Sequence, residues 1–276
     1  MANDSPITLH VADNIATITM NRPATLNALT PSDYDKLANT LREVDAREDI
    51  LVTILQGSGK FFCAGTDVKQ SPNGQKEAVT IGNVRASLRG GVVPTTMDVG
   101  HALYSHKKIL VAALNGPVMG IMAAFLGYFD FIYAVKGAWL SCPFTFLGLG
   151  LEGGASVSFV NRMGLGMAKD VLLWGKRKTA DELHAVGFVN QVFNFSETDS
   201  LDFNAAVRQE TLNNLHNLDP TALLTVKALI QAGLNEKNDM DAVNLRESYA
   251  QAKRLASGIP SIQFQRVARK EIKHKL

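Results

Sequence analysis

Apolar and polar residues along the first part of the chain sort into short alternating runs. Ile7–Val11 and Ile15–Met20 flank Asp13-Asn14 and predict a hairpin of two short strands. Asn21-Arg22-Pro23 ends the second strand, and Thr30-Pro31-Ser32-Asp33 supplies a helix start: hydroxyl cap, proline in the first turn, acid close behind. Tyr34, Leu37, Leu41 and Val44 follow at helical spacing. Leu51–Leu55, polar only at Thr53, predicts a strand buried on both faces. Residues 69–100 are polar and glycine-rich with weak helical pieces, and predict a long excursion over the core, of a length that is usually functional or mobile. Ile109–Leu114 is a second buried strand ending in Asn115-Gly116-Pro117, and Val118–Gly127 is small and apolar enough for a helix buried all round. Phe131–Val135 returns as a strand. Buried strand, glycine turn, helix and next strand thus repeat, which predicts an α/β chain whose units stack as a spiral.

After Val171 the character changes. Lys178–His184 and Asp202–Asn214 predict surface helices, Pro220–Leu234 an amphipathic one, Ala242–Leu255 a charged one and Ser261–Lys273 a basic one. No strand run follows Val192. The chain divides on this pattern into a core over residues 1–197 and a helical region over 198–276.

With 46% hydrophobic and 20% charged residues among 276, the composition is that of an ordinary globular chain able to hold one large core. A formal charge of +2, evenly spread, does not point to nucleic acid; the only basic concentration is Arg266–Leu276. Two distant cysteines, Cys63 and Cys142, suggest neither a disulfide framework nor zinc, and apolar neighbours argue against a reactive thiol. No HExxH, secretory leader or membrane-spanning run is expected.

The unusual stretch is Ser141–Ser158. Between Lys136 and Arg162 it holds one carboxylate, Glu152, with no Lys or Arg within nine residues. The glycines that follow, Gly153-Gly154, make it a poor helix-face charge. A carboxylate in such surroundings loses hydration and its pKa rises, which suits a general base or acid. The plainer alternative is that Glu152 caps a helix starting near Ala155. Two glycine turns, Ala64–Asp67 and Gly116–Ile121, each follow a buried strand and present backbone N–H groups suited to a developing oxyanion.

Gly59-Lys60-Phe61-Phe62-Cys63-Ala64-Gly65-Thr66-Asp67 resembles the motif G-x-x-F-(S/A)-x-G-A-D of the crotonase (enoyl-CoA hydratase/isomerase) superfamily, and Asn115-Gly116-Pro117-Val118-Met119-Gly120 resembles its second motif, N-G-x-x-x-G. The resemblance spans about residues 7–195. It implies a spiral of repeated ββα units, a C-terminal helical trimerisation region, and acyl-CoA thioester chemistry through a stabilised enolate. It carries the oxyanion donors to the N–H groups of Thr66 and Ile121. It further implies substrate contacts at Phe62, Cys63, Ala64, Gly65, Asp67, Gly120 and Lys270, the last toward CoA phosphates. No metal or redox cofactor is required, coenzyme A being part of the substrate.

The departures narrow the chemistry. Hydratases of this family carry two glutamates, at positions that here resemble Ala124 and Phe144. Leu147–Gly154 instead resembles the L-G-x-x-x-E-G-G segment of fungal peroxisomal Δ3,Δ2-enoyl-CoA isomerases, which implies Glu152 as the single catalytic base. The terminal His274-Lys275-Leu276 resembles a peroxisomal import signal, implying an import receptor as partner and a peroxisomal matrix location. A homotrimer or dimer of trimers is expected. Dienoyl-CoA isomerisation, acyl-CoA hydrolysis and a non-catalytic acyl-CoA-binding module remain as alternatives. Thr95 or Thr96 is a candidate polar neighbour of the site.

Overall fold

A computed structural model describes residues 5–68, 79–196 and 198–274. Strands β1 (Ile7–Ala12) and β2 (Ile15–Met20) form the expected hairpin. Its two-residue turn works because Asp13 and Asn14 both take positive φ, 53° and 59°. Helix α1 (Pro31–Asp45) starts at Thr30 with a reciprocal capping box to Asp33 and buries Tyr34, Leu37, Leu41 and Val44.

β2, β3 (Val52–Gly57), β4 (Ile109–Leu114), β6 (Phe131–Val135) and β9 (Gln191–Phe193) run parallel, with β1 antiparallel at the edge. All six residues of β4 are buried, as a central parallel strand requires. A smaller sheet holds β5 (Val118–Met119), β7 (Trp139–Ser141) and β8 (Lys178–Thr179). β4 passes to β5 and β6 to β7. The chain after β3 joins the small sheet's line through a bridge between Cys63 and Val118. Each turn of the chain therefore lays one segment in each sheet, and the turns stack as a spiral.

Two expectations shift in detail. Val118–Gly127 is not helical throughout: β5 occupies its first two residues, and only Gly120–Phe125 form helix α4. Lys178–His184 likewise opens as β8 before α6 (Ala180–Ala185). Both pairs of residues are drawn into the small sheet, where pairing with β7 overrides local helical preference.

Part of the 69–100 excursion is described. It forms α2 (Ile81–Ser87), a π-helical segment over Leu88–Met97 and α3 (Asp98–Tyr104); residues 69–78 lie outside the described part. Helix α5 (Ala155–Trp174) is kinked at Gly164, where φ is 75°. Four helices follow the last strand: α7 (Ser200–Leu215), α8 (Pro220–Asn235), α9 (Met240–Ala256) and α10 (Ile259–Ala268). α7 sends Phe203 and Val207 into the main core, and Ala252 and Ala256 of α9 pack with Val84 and Val92. On α8 the apolar side chains Val226, Leu229, Ile230 and Leu234 are exposed, while Lys227 is buried against Asp130 at 2.7 Å.

Candidate active site

The spiral brings the two glycine turns side by side. Gly65 has φ +89°, and a Cβ there would stand 3.1 Å from the Met119 carbonyl oxygen and 3.7 Å from Gly120 Cα. Close approach and left-handed backbone both demand glycine. Asn115 ties the turns from below: its Oδ1 accepts the Gly57 N–H at 3.2 Å and its Nδ2 donates to the Gly59 carbonyl at 2.7 Å.

Backbone direction at the first turn is set by Leu29. Its N–H donates to the Gly65 carbonyl and its carbonyl accepts the Asp67 N–H, each at 2.8 Å. In such a parallel bridge the intervening residue directs its own N–H to the opposite side, so the Thr66 N–H faces away from Leu29. The Thr66 hydroxyl meets the buried Tyr34 hydroxyl at 2.7 Å. At the second turn α4 begins at Gly120, φ +62°, so the Ile121 N–H falls in the first helical turn, where no intrahelical acceptor exists.

Both turns open into a cavity of about 710 Å³ lined also by Glu152. Glu152 is 7% exposed and is held in a loop with positive φ at Gly153 and Gly154, 73° and 69°. A Cβ at Gly153 would stand 3.0 Å from Ala124 Cβ and 3.2 Å from Ile121 Cδ1. The small residue at 124 thus lets the Glu152 loop lie directly on α4. Burial pushes the Glu152 carboxyl up to about 7; the nearby Glu247 charge acts in the same direction, while hydrogen bonds from Thr96 and Gln251 oppose it. The Thr96 hydroxyl donates to Oε2 at 3.0 Å.

Glu152 does not cap α5. That place is taken by Glu247 of α9, whose two carboxylate oxygens accept the Gly154 N–H at 2.7 Å and the Ser156 N–H at 3.0 Å. Glu152 is left free to face the cavity. It is the only carboxylate among the described residues lining it. Phe144 is buried on the same wall, with Phe146, Leu149, Phe264 and Val267 making the surroundings apolar. Lys270, Lys273 and His274 supply the charge and polarity of the C-terminal wall.

Of the residues expected at the site, Ala64, Gly65, Thr66, Gly120, Ile121, Glu152 and Lys270 line this one cavity. Phe62 and Cys63 do not: both side chains are wholly buried beneath the turn, and the Cys63 thiol donates to the Asn27 carbonyl at 2.9 Å. Burial pushes that thiol up to about 12, so it is no nucleophile. Asp67 turns its carboxylate to Arg22 at 3.5 Å, across a network that includes Asp33, and lies off the cavity wall. Only some of the residues singled out by motif position therefore face this cavity. Glu247 and Gln251 escaped sequence reasoning; the available signal was a stripe of polar residues at buried positions of α9.

The profile of the enoyl-CoA hydratase/isomerase family matches residues 10–254. A Δ3,5-Δ2,4-dienoyl-CoA isomerase of Pyricularia oryzae is 36% identical over 98% of both chains. A 3,2-trans-enoyl-CoA isomerase of Saccharomyces cerevisiae is 30% identical, covering 94% of this chain and 92% of the relative. The crystal structure of an enoyl-CoA hydratase/isomerase from Pseudoalteromonas atlantica superposes with a TM-score of 0.82 at 26% identity, covering 99% of this chain and 100% of the other. Spiral, paired glycine turns and family match agree: the chain belongs to the crotonase, or enoyl-CoA hydratase/isomerase, superfamily.

Proposed function

We propose that the protein is a Δ3,Δ2-enoyl-CoA isomerase with Glu152 as its single acid/base group. The observation that carries this is Glu152, the lone carboxylate among the described residues of the apolar cavity onto which both glycine turns open, its proton held more tightly by burial. Glu152 removes a proton from C2 of a 3-enoyl thioester. The C2–H electron pair moves into the thioester, giving a dienolate whose negative oxygen is held by the Thr66 and Ile121 N–H groups. The protonated Glu152 then returns the proton to C4, and the double bond comes to rest between C2 and C3. Proton and electrons balance within the substrate and one carboxylate, so the shift calls for no cofactor beyond the CoA that the substrate carries. Hydration is disfavoured because Ala124 and Phe144 cannot move a proton to or from water.

A dienoyl-CoA isomerase is the second reading, favoured by the name of the Pyricularia relative. That Glu152 is the one carboxylate among the described residues of the cavity wall favours the first. Residence in the peroxisomal matrix, by way of an import receptor, belongs to the same proposal and rests on His274-Lys275-Leu276; Lys275 and Leu276 lie outside the described residues. Assembly as a homotrimer or dimer of trimers is supported by the exposed apolar face of α8.

The test is turnover of 3-enoyl-CoA, 3,5-dienoyl-CoA and 2-enoyl-CoA with water, by wild type and Glu152→Gln. Isomerisation of 3-enoyl-CoA alone, lost in the variant with CoA-thioester binding kept, is expected. Preference for the dienoyl substrate establishes the second reading. Binding without turnover by either protein makes the chain a non-catalytic acyl-CoA binder.

A further inference from the structure

One face of α9 grips the whole loop that carries Glu152. Asn244, Glu247, Gln251 and Arg254 recur at spacings of three and four, so their side chains share that face. Asn244 Nδ2 donates to the Met97 carbonyl at 3.0 Å, at the end of the π-helical segment bearing Thr96. Glu247 accepts the Gly154 and Ser156 N–H groups. Gln251 Oε1 accepts the Gly150 N–H at 2.8 Å, and Arg254 Nε donates to the Gly148 carbonyl at 2.7 Å. From α10, Gln263 adds a bond to the Phe146 carbonyl at 3.0 Å.

Gln251 holds the Gly150 N–H two residues before Glu152, and with Thr96 it opposes the upward push of burial on that carboxyl. With Oε1 committed to the Gly150 N–H, the polar group left on the amide is its Nε2–H pair, a donor that favours a neighbouring carboxylate in its ionised form. Glu247, one turn earlier and 5% exposed, places a second carboxyl behind the same loop. We propose that Glu247 and Gln251 are positioning residues for Glu152, acting on its proton affinity in opposite directions: Gln251 by donating to the ionised carboxylate, Glu247 by holding the loop while opposing a second negative charge. This rests on Glu152 being the base. It turns α9, remote in sequence from both glycine turns, into the element that sets the working pH of the site.

Among the described residues, the other titratable groups about the two carboxyls are few. Tyr34 of α1 faces Glu152, Tyr128 after α4 faces Glu247, Tyr104 of α3 faces Tyr128, and Arg246 lies beside Glu247 on α9. Burial pushes all three phenols up, so they stay neutral through the working range. Lys270, Lys273 and His274 stand on the cavity's C-terminal wall, and Arg254 is spent on the Gly148 carbonyl.

The experiment is the pH dependence of kcat/KM on 3-enoyl-CoA, whose acid limb reports the base in the free enzyme. Glu247→Gln removes the opposing charge and is expected to move the limb to lower pH; Gln251→Met removes the donor and is expected to move it to higher pH, each by at least about half a pH unit. Glu247→Asp keeps the charge and is expected to leave the limb in place even if kcat falls. A merely structural role lowers activity without displacing either limb. Unmoved limbs, or limbs moving the same way, overturn the proposal. If Glu247→Gln does not fold, Gln251→Met decides alone. Glu152→Gln, run alongside, separates the two levels: activity retained there defeats the base itself, whereas a dead Glu152→Gln with unmoved limbs defeats only the α9 mechanism.

Discussion

The Thr96 hydroxyl donates to Glu152 Oε2 at 3.0 Å across 56 residues of sequence. Thr96 is a buried residue of the π-helical segment, which packs against α9, α2, α3 and α1. A hydrogen bond to the ionised form holds a carboxyl's pKa down, so its loss lets burial push the group further up. Thr96→Val is expected to lower kcat/KM about tenfold at pH 7, with recovery toward wild type as pH rises. A pH–rate series checks this; a uniform loss at all pH values would mean that Thr96 only shapes the wall.

Keeping Glu152 ionised in the folded chain opposes folding. Its ordinary value of 4.5 becomes about 7. Below pH 4.5 the group is protonated in both folded and unfolded chains and costs nothing. Between 4.5 and 7 the unfolded chain ionises first, so stability falls as pH rises, and above 7 the cost levels off at up to about 3 kcal/mol. Glu152→Gln is therefore expected to be more stable than wild type at pH 8 and nearly equal near pH 4.5. Urea unfolding at the two pH values measures the difference; equal gains at both would refute a buried ionised carboxylate.

At Gly65 the constraint is backbone. Alanine there adds about 1–2 kcal/mol of left-handed strain and sets a methyl 3.1 Å from the Met119 oxygen. The turns must part, misaligning Thr66 and Ile121 N–H groups that are expected to act together. Gly65→Ala is expected to reduce kcat on the order of a hundredfold or more while the thermal transition falls only by several degrees. A kcat near wild type would remove these amides from the mechanism.

Lys270 lines the cavity in a left-handed conformation, φ +60°, which lysine rarely adopts. Its charge is the property glycine or asparagine could not supply there. Lys270→Ala is expected to raise KM for acyl-CoA several-fold at low ionic strength, with kcat unchanged and the difference shrinking in about 0.5 M salt. A salt-independent KM change would assign Lys270 to packing instead.

Much of this was legible in the chain. The β1–β2 hairpin, the capping box at Thr30 and the fully apolar β4 follow from local chemistry alone. The glycine turns showed through their motifs, and Glu152 through its isolation from any cation. What stayed hidden is pairwise and distant. Nothing near Glu247 announces that it accepts N–H groups 93 and 91 residues away, so proximity alone offered Glu152 as the alternative cap of α5. Phe62, Cys63 and Asp67 belong to the first glycine turn, but the first two are packed into the core beneath it and the third turns to Arg22. The first residues of β5 and β8 read as helical because the partner that makes them strands, β7, is contributed from elsewhere in the chain.

The grip of α9 and α10 on the base loop is made of side chains bonded to main chain: carbonyls of Gly148 and Phe146, amides of Gly150, Gly154 and Ser156. Such contacts are indifferent to which side chains the loop itself displays. Leu147 and Leu149, which wall the cavity, can therefore be exchanged over generations without loosening the carboxylate between them and α5. Substrate choice can drift here while the reaction is inherited intact.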